Sequence, residues 1–240
     1  MRKWMRGVIL AIVATCLGHA VHAQSDTAAV LFEKLRSRLN TVKDYVADVR
    51  IKIDVAFMKV PPLEGKLYFK APDKMKLERS GGVSILPKKN FNLTLNSMFP
   101  AGDATVIDAG SDVVNGKPVR VIKVIPNDDM GQIILTKIWV DQERNLALRT
   151  ETTTRENGTV KMDLLFGNHI KLGLPDKVTV YLDVKEYKLP KGVTMDYDAG
   201  GQVKPPPSSG KKNKKGTIEI TYLGYEVNKG LPDKIFNEND

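Results

Sequence analysis

The 240-residue chain has one cysteine and three histidines, and this scarcity limits the chemistry open to it. Cys16, His19 and His22 all lie in the first 23 residues, which we expect to be removed on export. The remaining chain then has no disulfide, no cysteine nucleophile and no zinc site built on cysteine. His169 would be the last imidazole, so sites that need several histidines are excluded. No nucleophile is recognisable near His169, and we interpret it as an ordinary loop residue.

Motifs for catalysis and cofactor binding are also missing. There is no Gly-x-Ser-x-Gly elbow, no His-Glu-x-x-His pair and no calcium-loop spacing. Five residues separate Gly110 from Gly116, and Pro118 follows where a phosphate loop needs Ser or Thr, so we interpret this segment as a hairpin turn. We therefore expect no catalytic residue, no metal and no cofactor. An envelope hydrolase using carboxylates is the least favoured alternative; it stays open because two acids that meet across strands leave no sequence trace.

Long hydrophobic runs are limited to the N-terminus. Three basic residues precede an apolar run over 7–18, and Val21 and Ala23 occupy the small-residue positions before a cleavage site. The run is too short to cross a bilayer of about 30 Å as a helix. We therefore predict a signal peptide over 1–23 and one exported domain over 24–240.

Cys16 leaves a second processing route open. The residues before it loosely match the bacterial pattern in which a lipid-modified cysteine becomes the mature N-terminus. Thr15 is a poor residue at that place, so we favour cleavage after Ala23. We expect a periplasmic protein, with lipid anchoring at Cys16 as the minor alternative.

Positive charge is concentrated in one segment. Residues 199–216 are rich in Pro, Ser and Lys and contain five lysines and no acid. Such a segment cannot bury enough apolar surface to fold, which predicts a solvated loop between two strands. The alternative is an arm that contacts an anionic membrane surface. Its lysines are Lys204, Lys211, Lys212, Lys214 and Lys215. No aromatic residue is interleaved for base stacking, so we expect no nucleic-acid partner. Separately, we expect the protein to be a monomer.

An amphipathic helix is predicted over 25–43, with Ser25 or Asp26 as its cap. Its apolar stripe would cover the sheet that follows. The residues of this lid helix that face the sheet are Leu31, Phe32, Leu35 and Leu39.

The pattern then changes to strict alternation over 45–57, with an apolar odd-numbered face and a mostly charged even-numbered face. A strand of about 13 residues is roughly twice the usual length and must coil. Turn signals at 115–116, 141–145 and 157–158 separate later segments of the same kind. We predict further strands over 63–70, 74–79, 91–96, 105–109, 119–125, 133–141, 147–154, 160–166, 178–187 and 217–228.

These elements predict a mainly β fold with one N-terminal helix, in which a curved antiparallel sheet forms an incomplete, half-open β-barrel with a helical lid. No second helix is evident, which argues against parallel α/β folds. One continuous apolar face lines the interior, a shape suited to a hydrophobic ligand; a fully packed interior without a cavity is the alternative. The expected ligand-binding residues are Val49, Ile51, Ile53, Val55, Phe57, Leu67, Phe69, Met75 and Leu77.

The segment Gly65-Lys-Leu-Tyr-Phe-Lys-Ala-Pro-Asp-Lys-Met-Lys-Leu77, after the helix and the long strand, resembles the LolA-like family of bacterial lipoprotein carriers and sorting proteins. Ile138-Trp-Val-Asp141, Leu148-Arg-Thr-Glu151 and the closing Pro232 to Phe236 resemble the family's later strands and tail. The resemblance covers most of residues 28–236. It implies an incomplete barrel lidded by helices and a periplasmic, non-enzymatic carrier for lipoprotein acyl chains or other lipids. An envelope-stress sensor or assembly module of the same fold, binding a protein partner, is the alternative.

Two features depart from the family pattern. Ala71 stands before the strand-breaking proline, where the best-known carriers have an arginine thought to latch the lid. Residues 83–91 replace the family's Asp-Gly-x-x-x-Trp-x-Tyr-like hairpin. The resemblance therefore implies the fold and apolar binding, and leaves open how the lid is held.

Overall fold

The computed structural model describes residues 27–55, 58–59, 61–79, 99, 102–128, 130–156, 158–183 and 215–237. The predicted signal peptide, the predicted strand over 91–96, Phe57 and the side chain of Val55 lie outside what the structure describes. So do Lys204, Lys211, Lys212 and Lys214, while Lys215 is the first residue of the last strand.

The helix is shorter than the sequence predicted. Helix α1 (Ala28–Asn40) has Thr27 as its N-cap, whose side-chain oxygen accepts a hydrogen bond of 3.3 Å from the Val30 amide. The predicted cap at Ser25 or Asp26 was wrong, because three consecutive residues suit the role and the third one fills it. Within the described ranges, no helix combines the length and the apolar composition that crossing a membrane requires.

Most predicted strands are present, and those over 63–70, 74–79 and 133–141 match the structure end to end. The strands are β1 (Asp44–Val55), β2 (Met58–Lys59), β3 (Leu63–Lys70), β4 (Lys74–Arg79), β5 (Ala104–Val114), β6 (Lys117–Pro126), β7 (Ile133–Asp141), β8 (Leu146–Thr154), β9 (Gly158–Leu165), β10 (Lys177–Asp183) and β11 (Lys215–Val227). Two short 3-10 helices, Ile170–Leu172 and Asp233–Phe236, follow β9 and β11.

These strands form one antiparallel sheet in the order β4-β3-β1-β11-β10-β9-β8-β7-β6-β5, with β2 paired to β1. The long first strand pairs with the last one, so that Ile51 lies opposite Ile220 and Ile53 opposite Ile218. The path ends at β4 and β5, which do not pair with each other, and the curved sheet stays open. The predicted half-open barrel is therefore confirmed.

The β5–β6 connection confirms that the glycine-containing segment is a hairpin turn and not a phosphate loop. Asn115 and Gly116 link the two strands with φ of 51° and 76°. Positive φ at both central residues is the type I′ geometry that suits the right-handed twist of paired strands.

The sheet carries apolar clusters on both faces, and the prediction of a single apolar face was wrong. The inner face is the one that packs against α1 and contains the larger core. A second buried cluster lies on the outer face and is formed by Val114, Val119, Val121, Trp139, Leu146 and Leu148. Alternation could not separate the two faces here, because Trp139 stands between Ile138 and Val140, which point inward, and all three are apolar.

Candidate functional site

The candidate site is the inner face of the sheet beneath α1. Val49, Ile51, Leu67 and Phe69 of the predicted set are buried there. Ile53, Met75 and Leu77 are partly buried against the same core. The structure therefore brings seven of the nine predicted positions together on β1, β3 and β4. That these side chains bind a ligand stays a prediction.

The lid helix covers this face with its predicted stripe. Leu31 is 0% exposed and Phe32 and Leu35 are each 2% exposed, while Leu39 is partly buried. Phe32 also stacks on Phe99, with ring centroids 6.1 Å apart. The hydrophobic effect, which has no directional preference, stabilises this contact between the helix and the sheet.

The apolar face extends well beyond the strands to which the sequence assigned the site. Residues on β6 to β11 continue it around the sheet: Ile122, Val124, Ile138, Val140, Met162, Leu164, Val178, Val180, Ile218 and Ile220. Each follows the alternation that predicted its strand, so the signal was present in the sequence. The missing information was the curvature that brings residues of all these strands into one core with the helix.

Three buried threonines interrupt the apolar inner face on β7 and β8. Thr136, Thr150 and Thr152 are all fully or nearly fully buried, and the hydroxyl oxygens of Thr136 and Thr152 lie 3.3 Å apart. Buried hydroxyls persist only where they are hydrogen-bonded. The inner face thus carries a small group of hydroxyls on β7 and β8.

A group of aromatic rings closes the inner face at the end where β1 begins. Tyr45 stacks on Phe69 at 5.0 Å and meets the edge of Tyr225 at 5.3 Å, and Tyr222 stacks on Tyr225 at 5.0 Å. Burial, followed by the nearby Tyr222 and Tyr45 hydroxyls, raises the pKa of Tyr225 far above its ordinary value. Burial likewise raises the pKa of Tyr222. These phenols stay neutral and act as packing groups.

His169 lies beside this aromatic group and holds a turn. Its Nδ1 is 2.6 Å from Asp176 Oδ1, and its ring meets Tyr225 edge-on at 4.9 Å. Asp176 also accepts hydrogen bonds from the amides of Asn168 and His169, at 2.7 and 3.1 Å. Partial burial alone would raise the pKa of Asp176, but these hydrogen bonds outweigh it and lower that pKa. The histidine thereby fixes the connection between β9 and β10.

On the outer face, Trp139 is enclosed by charged groups. Its indole Nε1 donates to Asp112 Oδ2 at 2.8 Å, and Lys137 Nζ lies 4.3 Å from the ring centroid. Next to it, Arg149 Nε donates to Asp163 Oδ1 at 2.5 Å. The Trp139 indole thus has a hydrogen-bond acceptor and a cation over its ring, and the carboxylate of Asp163 is paired with Arg149. Among the described residues, no group of three or more His, Cys, Asp or Glu side chains is arranged to hold a metal ion.

Ala71, at which the sequence departs from the family pattern, is joined to the segment that follows α1. Its amide donates to the Lys43 carbonyl at 2.7 Å, and its side chain packs against the inner core. Arg38 of the helix joins α1 to the 3-10 helix after β9, with Nη2 donating to the Ile170 carbonyl at 2.8 Å.

No protein-family model matches the chain, and no curated protein matches its sequence. Solved structures do match it. A LolA superfamily protein from Nitrosomonas europaea has a TM-score of 0.55 at 13% identity, over 89% of this chain and 99% of that chain. A DUF1329 family protein from Desulfovibrio piger has a TM-score of 0.52 at 14% identity, over 89% of this chain and 98% of that one.

A domain from Vibrio parahaemolyticus that bears the name outer membrane lipoprotein-sorting protein has a TM-score of 0.50 at 11% identity, over 88% of this chain and 97% of that chain. At these identities the likeness concerns the backbone and not individual side chains. The resemblance that the sequence predicted is confirmed at this level, and the chain has the fold of the LolA superfamily protein.

Proposed function

We propose that the protein is a periplasmic, non-enzymatic carrier or binding protein for the acyl chains of lipoproteins or other lipids. The observation that carries the proposal is the apolar inner face, which runs from β3 around to β6 and is covered by one helix through Leu31, Phe32 and Leu35. An apolar concave surface beneath a removable cover is the shape that a hydrocarbon ligand requires.

Fold likeness supports the same proposal. One structure with this fold is named a LolA superfamily protein, and another bears the name of outer membrane lipoprotein sorting. The predicted signal peptide over 1–23 supports export to the periplasm. Neither argument identifies the cargo, so the proposal is limited to its chemical class, the acyl chain.

The free energy of burying an acyl chain sets a condition on such a carrier. Burial of a 16-carbon chain contributes up to about 12 kcal/mol at about 0.8 kcal/mol per methylene. Complete burial would make release extremely slow, so a carrier must leave part of each chain in contact with water. An open sheet with a short helix as its cover meets this condition better than a closed barrel does.

Mass spectrometry of organic extracts tests the proposal. The exported protein is purified from its native envelope without detergent and extracted, beside an exported protein of similar charge and different fold. We expect acyl lipids in about equimolar amount in the first extract and background in the second. Lipid-free extracts together with a stoichiometric protein partner would instead favour the partner-binding module of the same fold.

A further inference from the structure

The open sheet has two end strands, and they differ in how their free edges are protected. β4 is short and carries Lys74, Lys76 and Arg79. The C-terminal 3-10 helix also contacts β4, and Asp233 Oδ1 of that helix lies 3.0 Å from Lys74 Nζ. Short length, basic side chains and a covering segment are the devices that keep an end strand from pairing with another chain.

Within the described part of the chain, β5 lacks these devices over its first five residues. The strand is 11 residues long, and the stretch from Ala104 to Asp108 contains no lysine, arginine or proline. Among the described residues, β5 pairs with β6 alone. A bulge between Asp108 and Ser111 interrupts the regular strand. The stretch before the bulge is therefore the part of β5 whose edge suits pairing.

The direction of the free backbone groups follows from the ladder with β6. The Asn127 amide donates to the Asp103 carbonyl at 2.9 Å, which makes these two residues a hydrogen-bonded pair. Bonded and non-bonded pairs alternate along antiparallel strands, so the odd-numbered residues bond to β6 and the even-numbered residues face the free edge. The even-numbered residues before the bulge are Ala104, Val106 and Asp108. The first two also pack at the border of the inner core.

Apolar side chains are exposed on the outer face beside this edge. Ile107 pairs with Lys123 and Thr105 pairs with Ile125, so that Ile107 and Ile125 are diagonal neighbours on one face. Both are exposed, and so is Met130 in the loop that follows β6. Clustered apolar side chains on a protein surface mark interaction sites. The free edge of β5 thus has apolar neighbours on both faces of the sheet.

We propose that the free edge of β5 binds an extended segment of a partner polypeptide as an additional antiparallel strand. Backbone hydrogen bonds to Ala104, Val106 and Asp108 attach the segment. Every second side chain of the segment is apolar and extends the inner face beside Val106, and the side chains between them lie on the outer face beside Ile107. This proposal concerns a protein partner and is independent of the proposed binding of acyl chains.

Charge distinguishes such a partner from a second copy of this chain. β5 and the residue before it carry Asp103, Asp108 and Asp112 and no cation. Arg120 pairs with Asp108, while Asp112 accepts from the uncharged indole of Trp139, so the strand keeps a negative charge. Two copies of β5 would bring charges of the same sign together. Basic residues at the ends of the bound segment complement the strand.

Amide exchange resolved by NMR tests the edge in the free exported protein. We expect the amides of Val106 and Asp108 to exchange at least about tenfold faster than those of Thr105 and Ile107, which bond to β6. Slow exchange at Val106 and Asp108 would show that the edge is already paired within the chain and would overturn the proposal.

A designed peptide tests the binding itself. The probe is acetyl-Lys-Val-Thr-Val-Thr-Val-Lys-amide, whose three valines lie opposite the three even-numbered residues of the edge. We expect saturable binding that slows exchange at Val106 and Asp108 and leaves the amides of β4 unchanged. Methylation of the three valine nitrogens should weaken binding at least about tenfold, because it removes the donors that face β5. Methylation of the two threonine nitrogens, which face away, should not.

Val113, which is exposed at the other end of β5, provides the matched control for Ile107. Ile107→Ser should weaken probe binding about threefold, because the threonine methyl groups lose an apolar neighbour, and Val113→Ser should leave it unchanged. The proposal is overturned by the absence of saturable binding at about 1 mM peptide, by protection of β4 in place of β5, or by equal effects of the two methylations.

Discussion

Asp44 shows at the scale of one residue how a buried carboxylate can organise a distant turn. It opens β1, is 5% exposed, and accepts hydrogen bonds from the amides of Lys229 and Gly230 after β11. Removal of the carboxylate leaves two amides without their acceptor. We therefore predict that Asp44→Ala lowers the free energy of unfolding by about 1–3 kcal/mol, measured by urea denaturation.

Asp48 on the same strand is the matched control. Its carboxylate pairs with Lys66 at 2.9 Å, but both side chains are more than half exposed. An exposed pair of this kind contributes about 0–1 kcal/mol, so Asp48→Ala should be close to neutral. Equal losses in the two variants would show that burial of Asp44 is not what matters.

The lowered pKa of Asp176 determines whether this carboxylate adds to or subtracts from the free energy of unfolding as the pH falls. Its pKa is lower in the folded protein than in the unfolded chain, because its hydrogen bonds to Asn168 and His169 outweigh partial burial. The stabilisation from this carboxylate is therefore complete above the unfolded pKa of about 4 and is lost as the pH falls through the folded pKa.

Asp176→Asn should accordingly be less stable than the unsubstituted protein at pH 7 and should lose less stability between about pH 5 and pH 3. Urea midpoints across that range measure both effects. Parallel pH profiles of the two proteins would rule out Asp176 as a contributor to acid unfolding.

Among the secondary-structure elements, most strands were predictable from the sequence, but the contacts between distant elements were not. β3, β4 and β7 were bounded correctly, because each is a clean run of alternation between turn residues. β5 is longer than predicted, since a bulge between Asp108 and Ser111 interrupts its register with β6 and hides its second half. β11 ends at Val227, one residue before the predicted end, because Asn228 has φ of 57°.

A deletion tests the proposed membrane contact of the lysine-rich segment between β10 and β11. Because Lys215 already pairs with Asp183, the deletion should stop at Lys214 and remove 201–214. We predict unchanged thermal stability and weaker binding to anionic phosphatidylglycerol vesicles at low salt, since four of the five lysines are lost.

Vesicle co-sedimentation measures this binding, and a variant with the four lysines Lys204, Lys211, Lys212 and Lys214 changed to Gln is the control for length. Both variants should lose the same share of binding if charge is the cause. Vesicle binding that survives both changes would leave the segment as a solvated connection without a membrane role.

For the molecule as a whole, the sequence predicted the fold class correctly but only part of the candidate site. Local periodicity predicted one helix, a curved antiparallel sheet and an apolar interior. It could not reveal bonds such as Arg38 to Ile170, which join residues 132 apart and leave no local pattern. Nor could it assign Trp139 to the outer face, since its strand neighbours are equally apolar.

The central claim, that the inner face binds acyl chains, is tested most directly by a charge placed on that face. Ile53 is only partly buried there, so the carboxylate of Ile53→Glu can stay hydrated and the protein should fold. Thr221→Glu is the control, because it lies on the outer face between Arg50 and Lys177. The measurement is displacement of a fluorescent fatty acid, with thermal melting of the same preparations. We predict affinity at least about tenfold lower for Ile53→Glu and unchanged for Thr221→Glu. A folded Ile53→Glu that binds normally would contradict the claim, as would an unfolded one, which indicates a packed interior.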